Sequence, residues 1–325
     1  MTDTLTQARE IPLSALPEGA AQPQLPDQAH IYATAITAED GAILAYAVLR
    51  QRRTALVAHI SAWSAPADLA AALAEGVKAT CAAHDALLIR ALPEQAEAIA
   101  ALGLEDTGRN YAQLWLSDPI PLAHPVGQYN QSTGFTCGPV SIAMAMGEVT
   151  RDQEIEIWRE ATTMIGLNGP GGCDPYGMLL AATNRGFTVE MHFDAKGPIL
   201  IDRAQTPEKA ELMSYVQNSF KTKVAEAGLE VIPDHLTAEE LGAAVRSGAM
   251  VILLIDQHLT HDHHAPHWIL LHAEKDGIFL VNDPWLEPRD RETRADVDCI
   301  PMRGDVLHAM GAYGDTPAHG ALILR

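Results

Sequence analysis

Three runs near the C-terminus, MVILLID (250–256), HWILLHAE (267–274) and GIFLVND (277–283), are apolar at almost every position rather than at alternate ones. A strand with one wet face alternates, so runs this continuous belong to a sheet covered on both faces. Segments of helical period precede them: QEIEIWREATTM, MLLAATNRG, the long amphipathic EKAELMSYVQNSFKTKVAEAG, and TAEELGAAVRSG, which starts with a Thr-x-x-Glu capping box. FTVEMHF adds one more strand. Helices first and an antiparallel sheet last define an α+β domain, and a turn near Lys275 to Gly277 folds the last two runs into a hairpin.

The front half has a different grain. Residues 1–29 carry prolines and glutamines without a clean period and read as an irregular lead-in. IYATAI and AILAYAVL flank the turn AEDG as a hairpin, and TALVAHISAW supplies a third strand. The helix PADLAAALAEGVKATCAAHD, the strand LLIRAL, the helix PEQAEAIAALG and the strand NYAQLWL follow. The stretch SDPIPLAHPVG, with three prolines and no period, is a linker. The expected organisation is a lead-in at 1–29, a small α/β domain at 30–117, a linker at 118–127 and the α+β domain at 128–325.

A chain of 325 residues that is 47% hydrophobic can fill two cores. No segment approaches ~18 uninterrupted apolar residues, and the N-terminus lacks a basic start with a hydrophobic run, so no membrane association is expected and the cytoplasm is the expected location. Forty-two acidic residues against 22 basic ones give a net charge of -20, which repels nucleic-acid phosphates. Cys81, Cys137, Cys173 and Cys299 are scattered without a CxxC pair, a pattern of reduced thiols rather than of disulfides or zinc ligands. The sequence is silent on oligomeric state and leaves a homo-oligomer open.

Cys137 stands out among the four. In QSTGFTCGPVSIAMAMG it opens an apolar helix in which Pro139 occupies the first turn. A thiol with a free pKa of ~8.5 needs a positive environment to act as a nucleophile, and a helix N-terminus supplies part of it. Gln131, six residues upstream, is placed to donate to a developing oxyanion together with the Cys137 N–H, although Gln128 is a competing choice. The base should be a histidine, and QHLTHDHHAPHW holds His258, His261, His263, His264 and His267. The first four, with Asp262, could be metal ligands, but they lie in a loop without fixed spacing and read as a solvated turn. His267 opens a strand, and folding the hairpin brings Asp283 within one residue of lying opposite it, where opposed residues sit ~5 Å apart. A carboxylate there holds an imidazole in the required tautomer. Cys173, in GPGGCDPYG, lacks a helix start and an upstream glutamine and reads as structural or substrate-facing; Trp268 and Trp285 flank the site.

These residues, with CGP after the glutamine, PHW around the histidine and NDP around the aspartate, resemble papain-like cysteine peptidases of the bacteriocin-leader-processing, or double-glycine leader peptidase, family. IWREATTM, GPGGCDPYGMLLAATNRGF and APHWILL are similar to a cytoplasmic branch of it often fused to an N-acetyltransferase-like domain. The front domain's β-β-β-α-β-α-β order resembles the C-terminal two-thirds of such an acetyltransferase, but the turn that should cradle acetyl-CoA reads SAWSAPAD, without glycine and with Pro66 removing an N–H. That implies a degenerate scaffold without acetyl transfer. The resemblance implies Cys137 as nucleophile, His267 as general base and acid, Asp283 as orienting group and Gln131 as oxyanion donor, with no metal or organic cofactor. The expected activity is hydrolysis of a peptide or small-molecule amide through a thioester. Transfer of the same thioester to an amine, and a non-catalytic peptide-binding module, are the alternatives.

Overall fold

The computed structural model describes residues 7–18, 20, 29–147, 149–163, 171–314 and 317–325. These form two compact units, one made of Met1–Pro119, Leu259–Asp262 and Glu287–Asp296, the other of Ile120–His258, His263–Leu286 and Val297–Arg325. Residues 259–262 and 287–296, expected in the second domain, therefore cluster with the first.

The first unit contains β1 (Arg9–Ile11), β2 (Ala29–Thr37), β3 (Ile43–Arg52), β4 (Val57–Ser64), α1 (Ala70–Ala83), β5 (Leu88–Ala91), α2 (Ala96–Leu102), β6 (Glu105–Asp106) and β7 (Ala112–Trp115). Its strands lie in the order β1-β2-β3-β4-β5-β7-β6, antiparallel except where β4 meets β5. A parallel step needs a crossover, and α1 makes it while burying Leu73, Val77 and Cys81 over the sheet. The lead-in departs from expectation: Arg9–Ile11 pairs with β2, Arg9 opposite Ala35. Three residues of edge strand are too few to show a period. Positions 1–6, 19 and 21–28 of that lead-in lie outside the described residues.

The second unit contains α3 (Cys137–Ala145), α4 (Arg151–Ala161), α5 (Pro175–Thr183), β8 (Val189–Phe193), α6 (Pro207–Glu226), β9 (Val231–Ile232), α7 (Ala238–Arg246), β10 (Met250–Asp256), the one-turn α8 (His258–His261, which passes into the first unit from Leu259), β11 (Pro266–Lys275), β12 (Ile278–Asn282), β13 (Ile300–Arg303), α9 (Gly304–Met310) and β14 (Gly320–Leu324). The sheet runs β13-β12-β11-β10-β14-β8-β9, antiparallel except for β8 with β9. Every residue of β11 from His267 to Glu274 is buried, as its unbroken apolar pattern requires. One face, carrying Ile252, Leu254, Trp268 and Leu270, packs against Val140 and Met144 of α3 and Met178 of α5. On the opposite face Leu253 and Leu241 of α7 line one small pocket. Helices do not all precede the sheet: β14 at the C-terminus inserts between β10 and β8. The expected capping box of α7 is present, with the Thr237 hydroxyl accepting from Glu240 N–H and the Glu240 carboxylate from Thr237 N–H.

Candidate active site

Cys137 is the first residue of α3. Thr136, which precedes it, does not cap the helix. Its hydroxyl donates instead to Glu154 Oε1, which also accepts the Ser132 N–H at 2.7 Å. Glu154 is fully buried on α4, so the loop entering α3 is tied from beneath. The first turn of α3 is left without a side-chain cap, and its N–H groups and dipole favour negative charge on the sulfur or on an oxygen bound beside it. Gly138 packs closely: a Cβ there would displace the Met178 thioether and come within 3.3 Å of the Trp268 indole.

His267 opens β11 opposite Ile255 of β10. Asp276 and Gly277, both at positive φ, form the two-residue turn of the β11–β12 hairpin. Lys275 pairs with Ile278, but a bulge between Leu271 and Ala273 changes the register so that Leu270 faces Asn282. Continued one step, Asp283 falls opposite Ile269, two residues from His267 rather than one. That difference matters, because residues two apart share a face, whereas an unbulged ladder would put Asp283 on the opposite one. His267 Nε2 lies 2.7 Å from Asp283 Oδ1, and that oxygen also accepts the Trp285 N–H at 2.8 Å. The other ring nitrogen is left for Cys137, whose sulfur is among the groups that raise the ring's pKa. Burial alone would lower the His267 pKa. The Asp283 charge and hydrogen bond, with the Cys137 sulfur, outweigh it and hold the ring up at about 10.

The loop from Gly127 to Gln131 is stitched to the strand end that carries Asp283. Gln128 Nε2 donates to the Asp283 carbonyl at 2.7 Å, Asn282 Nδ2 to the Gly127 carbonyl at 3.1 Å, and Gln131 N–H to the Pro284 carbonyl at 2.8 Å. The two candidate glutamines thus divide. Gln128 is buried and spends its amide holding the Asp283 backbone, while the half-buried Gln131 donates one amide hydrogen to the Thr133 carbonyl at 2.7 Å and keeps a second.

A cavity of about 360 Å³ opens over Cys137, walled by Phe135, Leu254 and Trp268 among others. Cys173 also lines it, nearly fully buried, and burial reinforced by the neighbouring Cys137 and Asp174 charges pushes its thiol well up. It stays protonated and inert. Trp268 is a cavity wall, whereas Trp285 acts through its backbone. The remaining histidines of the 258–264 stretch do not form the expected solvated turn: His258 stacks on His264, His264 pairs with Asp256, and His261 is buried and pairs with Glu292.

Two groups of described residues bring metal-type donors within 4.8 Å of one another, Asp194 with His235 and His319, and His261 with Asp290 and Glu292. In the first, the imidazoles stack at 4.3 Å with planes 24° apart, both turned to Asp194 Oδ2, and rings so nearly parallel do not aim two lone pairs at one ion. In the second, Glu292 is ion-paired with Arg52. Both are hydrogen-bonded networks. Among the described residues, no helix is long and apolar enough to cross a membrane, and no disulfide joins any of the four cysteines.

A thiol, an imidazole and a carboxylate in sequence on a helix and an antiparallel sheet make this a cysteine-peptidase-like protein. The chain belongs to the Peptidase_C39 like family, whose profile matches residues 126–325. None of the curated proteins matches it. Among solved structures it is similar to the peptidase domain of Streptococcus ComA, a bi-functional ABC transporter involved in a quorum sensing pathway, with 12% identity over 62% of this chain and 98% of that one and a TM-score of 0.31. A tandem GNAT protein from the clavulanic acid biosynthesis pathway matches with 10% identity over 62% of this chain and 52% of that one, at a TM-score of 0.22.

Sequence reasoning missed Glu154, Gln128 as an anchor, and Asn282, which accepts from Cys299 N–H at 2.8 Å while bonding His272 and Gly127. No local signal marks such residues, because their partners lie far away in the chain.

Proposed function

We propose that the protein is a cysteine peptidase or amidohydrolase acting through a thioester on Cys137. The observation that carries this reading is His267 bonded to the Asp283 carboxylate and electrostatically coupled to the Cys137 sulfur, over which a cavity opens. In this reading His267 takes the proton of the Cys137 thiol as the sulfur attacks the carbonyl carbon. The substrate carbonyl oxygen then becomes an oxyanion, stabilised by the Cys137 N–H and the second amide hydrogen of Gln131. His267 gives its proton to the leaving amine, and the C–N bond breaks as the thioester forms. Water, deprotonated by the now neutral ring, resolves the thioester and returns the thiolate and imidazolium. These steps use only groups of this chain, and four cysteines outside any disulfide support a reducing, cytoplasmic setting.

The first unit reads as an acetyltransferase-like scaffold that has lost its cofactor turn. Support comes from its strand order with one parallel step, and from the entry into α1, where Pro66 stands and the helix start at Leu69 has no side-chain cap.

The test is intact-mass spectrometry after incubation with a peptide library. An adduct on Cys137 that disappears in Cys137→Ala and persists longer in His267→Ala supports the reading. Turnover that survives in Cys137→Ala would overturn it.

A further inference from the structure

The charge of the cavity runs against the charge of the chain. The sequence holds 42 acidic and 22 basic residues, yet the described residues lining the cavity over Cys137 include two cations, Arg203 and Lys209, and no carboxylate. Neither cation forms an ion pair with a described residue, in a protein where Arg50, Arg52, Arg185, Arg246 and Arg325 all do. Unpaired cations beside a partly enclosed space, with acid abundant elsewhere, are placed for a ligand rather than for stability.

Local backbone supports the placement. Leu200, which also lines the cavity, adopts the left-handed conformation at φ 63°, unusual for a residue with a branched side chain. This bend turns the chain into the short 3-10 helix Ile201–Arg203, and from there into α6, whose first turn presents Lys209. Met213, one turn further along α6, and Trp268 supply apolar surface to the same space. The result is an amphipathic cleft with one cationic wall.

Resting on the hydrolase reading, we infer that the substrate carries a carboxylate close to the bond attacked by Cys137, and that Arg203 and Lys209 hold it. Arg offers a two-pronged donor set matched to a carboxylate, and Lys adds a point charge. The carboxylate is either an Asp or Glu side chain or a free peptide C-terminus, and both present the same group.

The experiment uses Cys137→Ala in the full chain and four fluorescent pentapeptides that differ only in Glu against Gln and in a free against an amidated C-terminus. Acid-bearing peptides should bind at least 10-fold tighter than the neutral one, about 1.4 kcal/mol. The preference should fall below 3-fold when Arg203→Gln and Lys209→Gln are added, with the circular dichroism melt unchanged. The Glu and C-terminus arms identify which carboxylate is read. Equal binding of all four, no binding, or a preference untouched by the double substitution would overturn the inference. Turnover by the wild type is scored separately: acid-selective binding without turnover defeats the hydrolase reading alone, and turnover without acid preference defeats this inference alone.

Discussion

A single buried carboxylate illustrates how this site depends on individual residues. Asp174, the N-cap of α5, accepts the Gly177 N–H at 3.0 Å through one oxygen and is almost completely buried next to Cys173. Burial, only partly offset by backbone N–H groups, pushes its pKa up to about 7. The unfolded chain releases this proton near pH 4, so the group's contribution turns increasingly unfavourable to folding as pH rises from about 4 to about 7. Asp174→Asn keeps an equally good N-cap and cannot ionise. Its melting temperature should equal wild type near pH 4 and exceed it at pH 8; an unchanged difference across that range would contradict the assignment. His267 has the opposite sense. Its raised pKa contributes stability that is present below about pH 6.5 and lost as pH rises through about 10. Replacing Asp283 by Ala removes the counter-charge, and turnover measured on any substrate should fall by about 10²–10⁴.

At the scale of elements, α3 is held by its neighbours more than by its own sequence. Glu154 on α4 accepts from the Ser132 N–H and the Thr136 hydroxyl, so Glu154→Ala removes both hydrogen bonds from a buried acceptor and should cost about 1–3 kcal/mol in chemical denaturation. Gly177 lets α5 approach α4: a Cβ there would lie 2.8 Å from Ala161 Cα, and backbone cannot step aside as a side chain can. Gly177→Ala should destabilise by about 1–3 kcal/mol, a loss of several degrees in melting temperature. The sequence already shows α4, α6, α7 and the β11–β12 hairpin, because caps, helical period and an Asp-Gly turn are local signals. The bulge in β11 is not visible there. It inserts one residue into an unbroken apolar run, and where every position is buried no alternation exists to reveal a change of face. The pairing of His267 with Asp283 was therefore legible, but its register was not.

At the scale of the whole molecule, charge and connectivity matter most. The first unit takes in Glu287–Asp296 from late in the chain. There Asp296 binds Arg50 with contacts of 2.5 and 2.7 Å and faces His59 at 3.5 Å. Burial opposes the Asp296 charge, but His59 and the arginines outweigh it and hold the carboxyl far below its usual range. Asp296→Asn should cost about 3–5 kcal/mol by stranding a buried guanidinium, read in a denaturant melt. Residues 1–119 alone should be less stable than the same unit in the full chain. Sequence composition could announce two cores but not this excursion, since a return crossing has no signature of its own.

The proposed chemistry requires that His267 activate the sulfur of Cys137. Site-resolved alkylation of the native protein by iodoacetamide at pH 6.5, followed by peptide mapping, measures this directly. Cys137 should be labelled first, with Cys81 and Cys173 protected until denaturation, and His267→Ala should slow Cys137 labelling at least 10-fold while the fold persists. Labelling of Cys137 no faster than that of Cys173, or at a rate indifferent to His267, would contradict the account.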